Sequence, residues 1–372
     1  MRVRLALVAI LLAGFGGCTP AREPESAAAV SPYPVDPRID RLVDSIRVAR
    51  KIPGVSVAVM RDGAIVHAAG YGLANVEQDA KATAETVYQS GSVGKQFTAT
   101  LIMVLVGDGK LSLDDPIRKH LPDAPKSWAP ITIRQMLSHT SGLGDYPPSM
   151  DYRRDYTEDQ LLQVVYQTPL LFAPGAEWSY SNLAYLTLGA LVRRITGAFY
   201  GDLLSERIFK PLGMGTKIIS ESDIVPHRAS GYVLKDGGLK NQEWVSPSLN
   251  STADGALYFT VLDLAKWDAG LAAGRVLPKE SLEQMWTPVQ LNDGSTYPYG
   301  FGWGIGGLPG HRLVEHSGGW QGFLTHIVRY LDDRLTVVVL VNLAAAESKP
   351  GDIAHQVAEL VEPSLKAKPA SR

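Results

Sequence analysis

Strand-forming residues crowd the two ends of this chain and are scarce between them. GVSVAVMRDGAIVHAAGYG (54–72) lies near one end; FGWGIGG (301–307), FLTHIVRY (323–330) and LTVVVLVNL (335–343) lie near the other. Runs this apolar cannot stand as isolated hairpins in water. The simplest solution is one antiparallel sheet built from both chain ends, so that the middle becomes an insertion. Arg61-Asp62-Gly63 reads as a hairpin turn, and Leu331 to Arg334 as a second.

Helical patterns fill the rest. Asp36 followed by Pro37 makes a helix start, with Ile39, Leu42, Val43, Ile46 and Ala49 on one face. Residues 132–138 predict a short helix. SNLAYLTLGALVRRITG predicts a longer one closed by Gly197. Another follows TADGALYF, and an amphipathic helix spans about 352–361. The expected fold is α/β of the α+β type. Residues 36–90 and 255–365 form the sheet-and-helix part, residues 91–254 a mainly helical part, and 366–372 a tail. A cleft between two such parts is a natural ligand site.

The N-terminus carries an address. MRVRLALVAILLAGFGGCTP has Arg2 and Arg4, an apolar run too short to span a bilayer, and then small residues. Residues 1–18 read as a secretory signal. Cys18 is the only cysteine, so an intrachain disulfide is excluded. Its place after FGG resembles the processing site of bacterial lipoproteins, although Phe15 stands where an aliphatic residue is usual. Residues 19–35, rich in Pro, Ala, Ser and Glu, read as a flexible tether. Lipidation at Cys18, membrane attachment through it, and a periplasmic location on the outer membrane are the expectations. A net charge of −2 gives no electrostatic reason for a nucleic-acid partner.

Chemistry concentrates in three short stretches. In SGSVGKQFTA, Ser92 and Lys95 stand three apart before an apolar run, so a helix starting there would stack them on one face. Burial and the helix N-terminus both push a lysine toward its neutral form, which can accept a serine proton. The same spacing arises often by chance. A phosphate loop is excluded, because Gln89 and Gln96 occupy positions that such a loop fills otherwise. FAPGAEWSYSNLAY places Tyr180 and Asn182 at a helix entrance, suited to proton relay and to holding a carbonyl, or equally to core packing and capping. VEHSGGWQGF puts His316, Gly318 and Gly319 beside a strand, where glycines admit a close backbone approach.

Taken in order, Ser92-Val93-Gly94-Lys95, Tyr180-Ser181-Asn182 and His316-Ser317-Gly318 resemble the class C β-lactamase and penicillin-binding serine hydrolase family. MLSHTSGL (136–143), PLGM (211–214) and YGFGW (299–303) look like lesser landmarks of it. The resemblance covers roughly residues 37–362 and implies a β-lactamase/transpeptidase-like fold. It implies Ser92 as nucleophile, Lys95 and Tyr180 as coupled base and relay, and Asn182 as a substrate and lysine orienter. His316, Gly318 and Gly319 would bind substrate, with the N–H groups of Ser92 and Gly319 holding the oxyanion. Which of Lys95 and Tyr180 takes the serine proton stays open. His316 departs from the lysine of class C β-lactamases; a mostly neutral imidazole that gains charge toward pH 6 suits esters and D-amino-acid peptides better than β-lactams.

The expected partner is a small acyl substrate: an ester, a D-amino-acid amide or peptide, or a β-lactam. A catalytically weak penicillin-binding or peptidoglycan-fragment-binding protein is the alternative. No cofactor or metal is expected, because His311, His316 and His326 show no ligand spacing and no G-x-S-x-G elbow occurs. His139 reads as a residue supporting the site from behind. Oligomeric state is not legible.

Overall fold

The computed structural model describes residues 32–218 and 223–366. The signal, Cys18, most of the tether and the last tail residues lie outside them. Residues from Tyr33 onward form one compact unit.

Helix α1 (Pro37–Ala49) starts on Asp36, whose carboxylate accepts the Arg38 N–H. Strands β1 (Gly54–Arg61) and β2 (Ala64–Asn75) follow, joined through Asp62 and Gly63, both at positive φ as a tight hairpin turn requires. A short β3 (Ala80–Lys81) completes this end. The helical region includes α2 (Lys95–Gly107), α3 (Ile133–Leu137) and α4 (Asn182–Thr196), the last stopped by Gly197 in the left-handed conformation. Helix α5 (Val261–Ala272) leads back to strands β4 (Gly304–Leu308), β5 (His311–Trp320), β6 (Phe323–Tyr330) and β7 (Leu335–Val341). Helix α6 (Pro350–Val361) closes the fold.

The seven strands make one sheet in the order β4-β5-β6-β7-β1-β2-β3, antiparallel throughout. β1 and β7 pair at its centre, with Val57 opposite Val339, so the two chain ends meet as expected. Side chains alternate across the sheet. Val55, Val57, Val59, Val337, Val339 and Val341 pack under α1 and α6 with Ile39, Val43, Ile353 and Val357. Ala58, Met60, Val338 and Leu340 face the helical region, in one continuous core with Phe97 and Trp267. Both faces are covered, which is why β1 and β7 read as unbroken apolar runs.

Two departures are local. Residues 232–241, expected as helix or loop, form a hairpin (Tyr232–Lys235 with Gly238–Asn241) turning at Asp236-Gly237, both at positive φ. The helix expected from Ser92 begins at Lys95, after a 3-10 turn over Gly91–Gly94.

Candidate active site

That 3-10 turn exists because β5 comes so close. Gly91 adopts φ 49°, and a Cβ there would strike the backbone of Gly318 and Gly319. A Cβ at Gly318 would in turn strike the carbonyl of Ser90 and crowd the Ser92 nitrogen. Thr325 on β6 ties the two together by donating to the Ser90 carbonyl at 2.6 Å. Glycine at these positions therefore sets the Ser92 turn directly against the backbone of Gly319.

Ser90, Ser92 and Ser181 differ in their surroundings. Ser90 is buried, donates to the Gly91 carbonyl and accepts the Leu257 N–H. Ser181 is buried, donates to the Gly144 carbonyl and caps α4 through the Ala184 N–H. Ser92 is only partly buried and lines two cavities, of about 530 and 190 Å³.

Lys95 is fully buried at the first turn of α2. Its Nζ lies 3.1 Å from Ser92 Oγ, 2.6 Å from Asn182 Oδ1 and 2.6 Å from the Asp254 carbonyl. Burial pushes its pKa down to about 8, against the upward pull of the Asp254 and Asp145 carboxylates. That displacement favours the neutral amine by about 3 kcal/mol relative to an exposed lysine. A neutral amine keeps two N–H donors for Asn182 and the Asp254 carbonyl, leaving its lone pair toward Ser92. Tyr180 behaves differently. Burial pushes its phenol far above the usual value, with Ser92 pulling weakly the other way. The hydroxyl makes no hydrogen bond of good geometry among the described residues, and the ring lies 4.9 Å from Lys95 Nζ. The phenol is thus held neutral, whereas the amine is brought closer to neutrality.

His139 is buried at positive φ. Its Nδ1 accepts the Ser181 N–H at 3.1 Å, so Nε2 carries the proton and donates to the Tyr299 hydroxyl at 3.2 Å. Tyr299 then donates to His316 Nε2 at 2.9 Å, and His316 Nδ1–H donates to the Ser317 carbonyl at 2.6 Å. This chain specifies one neutral tautomer for His316. Burial, aided by the Lys95 charge, pushes its pKa down to about 3. The gain of charge toward pH 6 expected from the sequence therefore does not occur: His316 is 8% exposed and both ring nitrogens are engaged. Tyr299 was missed as a partner, although it opens YGFGW.

The other histidines of that stretch disperse. His311 pairs with Asp333, and His326 and His355 converge on Glu315. Asp145 and Asp254, also missed, line the smaller cavity with Ser92 and Asn182. Asp145 accepts from Asn182 Nδ2 at 2.9 Å.

The Beta-lactamase family model matches residues 39–362. The chain belongs to the Beta-lactamase family. Its members here are serine hydrolases that include penicillin-binding proteins and D-aminopeptidases. Penicillin-binding protein 4* of Bacillus subtilis is 30% identical over 77% of this chain and 67% of its own length. A D-aminopeptidase of Gluconobacter oxydans is 28% identical over 83% of this chain and 59% of its own. The chain thus spans about three fifths to two thirds of these relatives. The solved D-amino acid amidase of Ochrobactrum anthropi, in complex with D-phenylalanine, is 26% identical, with TM-score 0.77 over 88% of this chain and 99% of that one. These matches bear out the mixed α/β, β-lactamase/transpeptidase-like fold read from the sequence.

Proposed function

We propose that this Beta-lactamase family member hydrolyses amides or short peptides of D-amino acids with a free α-amino group, through an acyl-serine intermediate. The observation that carries the reading is the acidic wall beside Ser92. Asp254 Oδ2 accepts from the Tyr146 hydroxyl at 3.2 Å, whereas its buried Oδ1 has no partner among the described residues. A buried acceptor left unmade costs about 1–3 kcal/mol, more when charged. A substrate ammonium entering the smaller cavity would meet this carboxylate, with Asp145 on the same wall. Neither cavity at Ser92 has an arginine or lysine in its lining among the described residues. A substrate carboxylate, as on a β-lactam, thus lacks a cation to meet it there. The D configuration is supported by the D-aminopeptidase and D-amino acid amidase relatives.

In this mechanism Ser92 Oγ attacks the acyl carbonyl as its proton passes to Lys95. The backbone N–H groups of Ser92 and Gly319 stabilise the oxyanion. Tyr180 relays a proton to the departing amine, leaving the acyl group as an ester on Ser92. Water then attacks that ester, and its proton returns through Tyr180 and Lys95 to Ser92. The test compares D-phenylalaninamide, N-acetyl-D-phenylalaninamide, p-nitrophenyl butyrate and nitrocefin. The free amine should be preferred at least tenfold over its acetylated form, and Asp254→Asn should remove that preference by raising KM. Equal turnover of both amides would refute amine recognition. Preferred turnover of nitrocefin would return the reading to a β-lactamase.

We also propose that the chain is exported and anchored to the outer membrane, facing the periplasm, through lipid on Cys18. Export rests on the Arg2/Arg4-flanked apolar run, and anchoring on the FGGC sequence. Palmitate incorporation lost in Cys18→Ala supports anchoring; a soluble cleaved periplasmic form overturns it.

A further inference from the structure

Cross-strand pairing sets Ser317 on β5 opposite His326 on β6, and Glu315 lies two residues back on the same face. α6 packs on this face and brings His355. Gly351 lets the helix come in, since a Cβ there would press on the His326 ring at 3.3 Å. One carboxylate oxygen, Glu315 Oε2, then lies 3.1 Å from His326 Nε2 and 3.0 Å from His355 Nε2. The three donor atoms fall within 4.8 Å of one another.

We propose that Glu315, His326 and His355 form a divalent-cation site of the zinc class. Two imidazoles and a carboxylate suit a borderline cation, and three protein ligands leave a fourth position for an oxygen from water or substrate. Ligand atoms of a tetrahedral zinc stand about 3.3 Å apart. The two Glu–His separations are already close to this, and the half-exposed His355 can swing to shorten the third. The far nitrogens are held as metal-bound imidazoles usually are. His326 Nδ1 lies 2.9 Å from Ser317 Oγ, and His355 Nδ1 lies 2.7 Å from the Tyr330 hydroxyl. Both rings therefore present Nε2 to the same point. In the neutral rings a proton on each Nε2 can fill the gap to Glu315. A cation replaces both as those protons shift to Nδ1, where the two hydroxyls accept them, so the rings stay neutral. Glu315, Ser317 and His326 also border the larger cavity at Ser92.

The test uses the full chain carrying Cys18→Ser and no histidine tag, stripped with chelator and titrated with zinc chloride alone by calorimetry at pH 7.5. About one zinc per chain should bind, confirmed by elemental mass spectrometry, and the melting temperature should rise. His326→Ala and His355→Ala should each lower the affinity about a hundredfold or more. Ser317→Ala and Tyr330→Phe should lower it about ten- to a hundredfold, the usual effect of losing a group that orients a ligand. Glu315→Gln keeps the side-chain shape, so it carries the test if a histidine variant fails to fold, and it too should weaken binding. Binding of no zinc, or of zinc with the same affinity in wild type and Glu315→Gln, overturns the site.

Discussion

Glu315 and His316 are neighbours in sequence and belong to different chemical worlds. His316 turns toward Ser92, is buried, and is held neutral by Tyr299 and the Ser317 carbonyl. Glu315 turns to the other face and sits between two imidazoles. Burial pushes its pKa up, but the bonds and charges of His326 and His355 outweigh this and hold it well below the usual carboxylate range. The period of two along a strand is enough to put a neutral imidazole and an ionised carboxylate one residue apart. The inner face sets a neutral imidazole against Ser92, and the outer face holds an ionised carboxylate.

The largest test strikes the inner face. Ser92→Ala should abolish covalent labelling by a fluorophosphonate. Lys95→Ala should slow acylation about 10³-fold or more, and Lys95→Arg should not restore it, because arginine does not lose its proton. An active arginine variant would mean that positive charge, not a neutral amine, is what the inner face supplies.

A tenfold effect should follow from pH. With Lys95 titrating near 8, about a tenth of it is neutral at pH 7 and about nine tenths at pH 9. For p-nitrophenyl butyrate, which has no amine of its own to titrate, kcat/KM should therefore rise about tenfold across that range and level off. A rise that continues past pH 10 would point to the Tyr180 phenolate as base, since burial holds that phenol far above its usual value.

The smallest effect is on stability. Tyr299→Phe removes the hydroxyl that joins His139 to His316 and leaves two buried ring nitrogens unpaired. Denaturant unfolding should show a loss of about 1–3 kcal/mol. No loss would mean that the neutral state of His316 does not rest on this chain of hydrogen bonds.

Much of the inner face is legible in the sequence because each motif is short. Ser92 and Lys95 meet across one turn, Tyr180 and Asn182 flank one helix start, and Gly318 and Gly319 sit in one strand. Each is a local arrangement, so spacing along the chain already approximates spacing in space. His139 and Tyr299 are harder, since residues 139, 181, 299 and 316 meet only once α3, α4 and β5 are packed. The hairpin at 232–241 was open to reading through its Asp236-Gly237 turn, but alternation is weak where most of its side chains face solvent.

The strand-rich ends, the helices with capped starts, and the three motifs that place the chain among serine hydrolases are all written in the order of residues. Local physics suffices for these: side-chain periodicity, turn residues at positive φ, and a serine one turn from a lysine. The charge states and the second cluster arise only once the chain is packed. Lys95 is shifted and His316 is neutral because of what surrounds them after burial, and desolvation has no meaning for an extended chain. Glu315, His326 and His355 come from a strand, its neighbour and the last helix. No spacing rule announces them, because the distance between them is set by sheet register and helix docking.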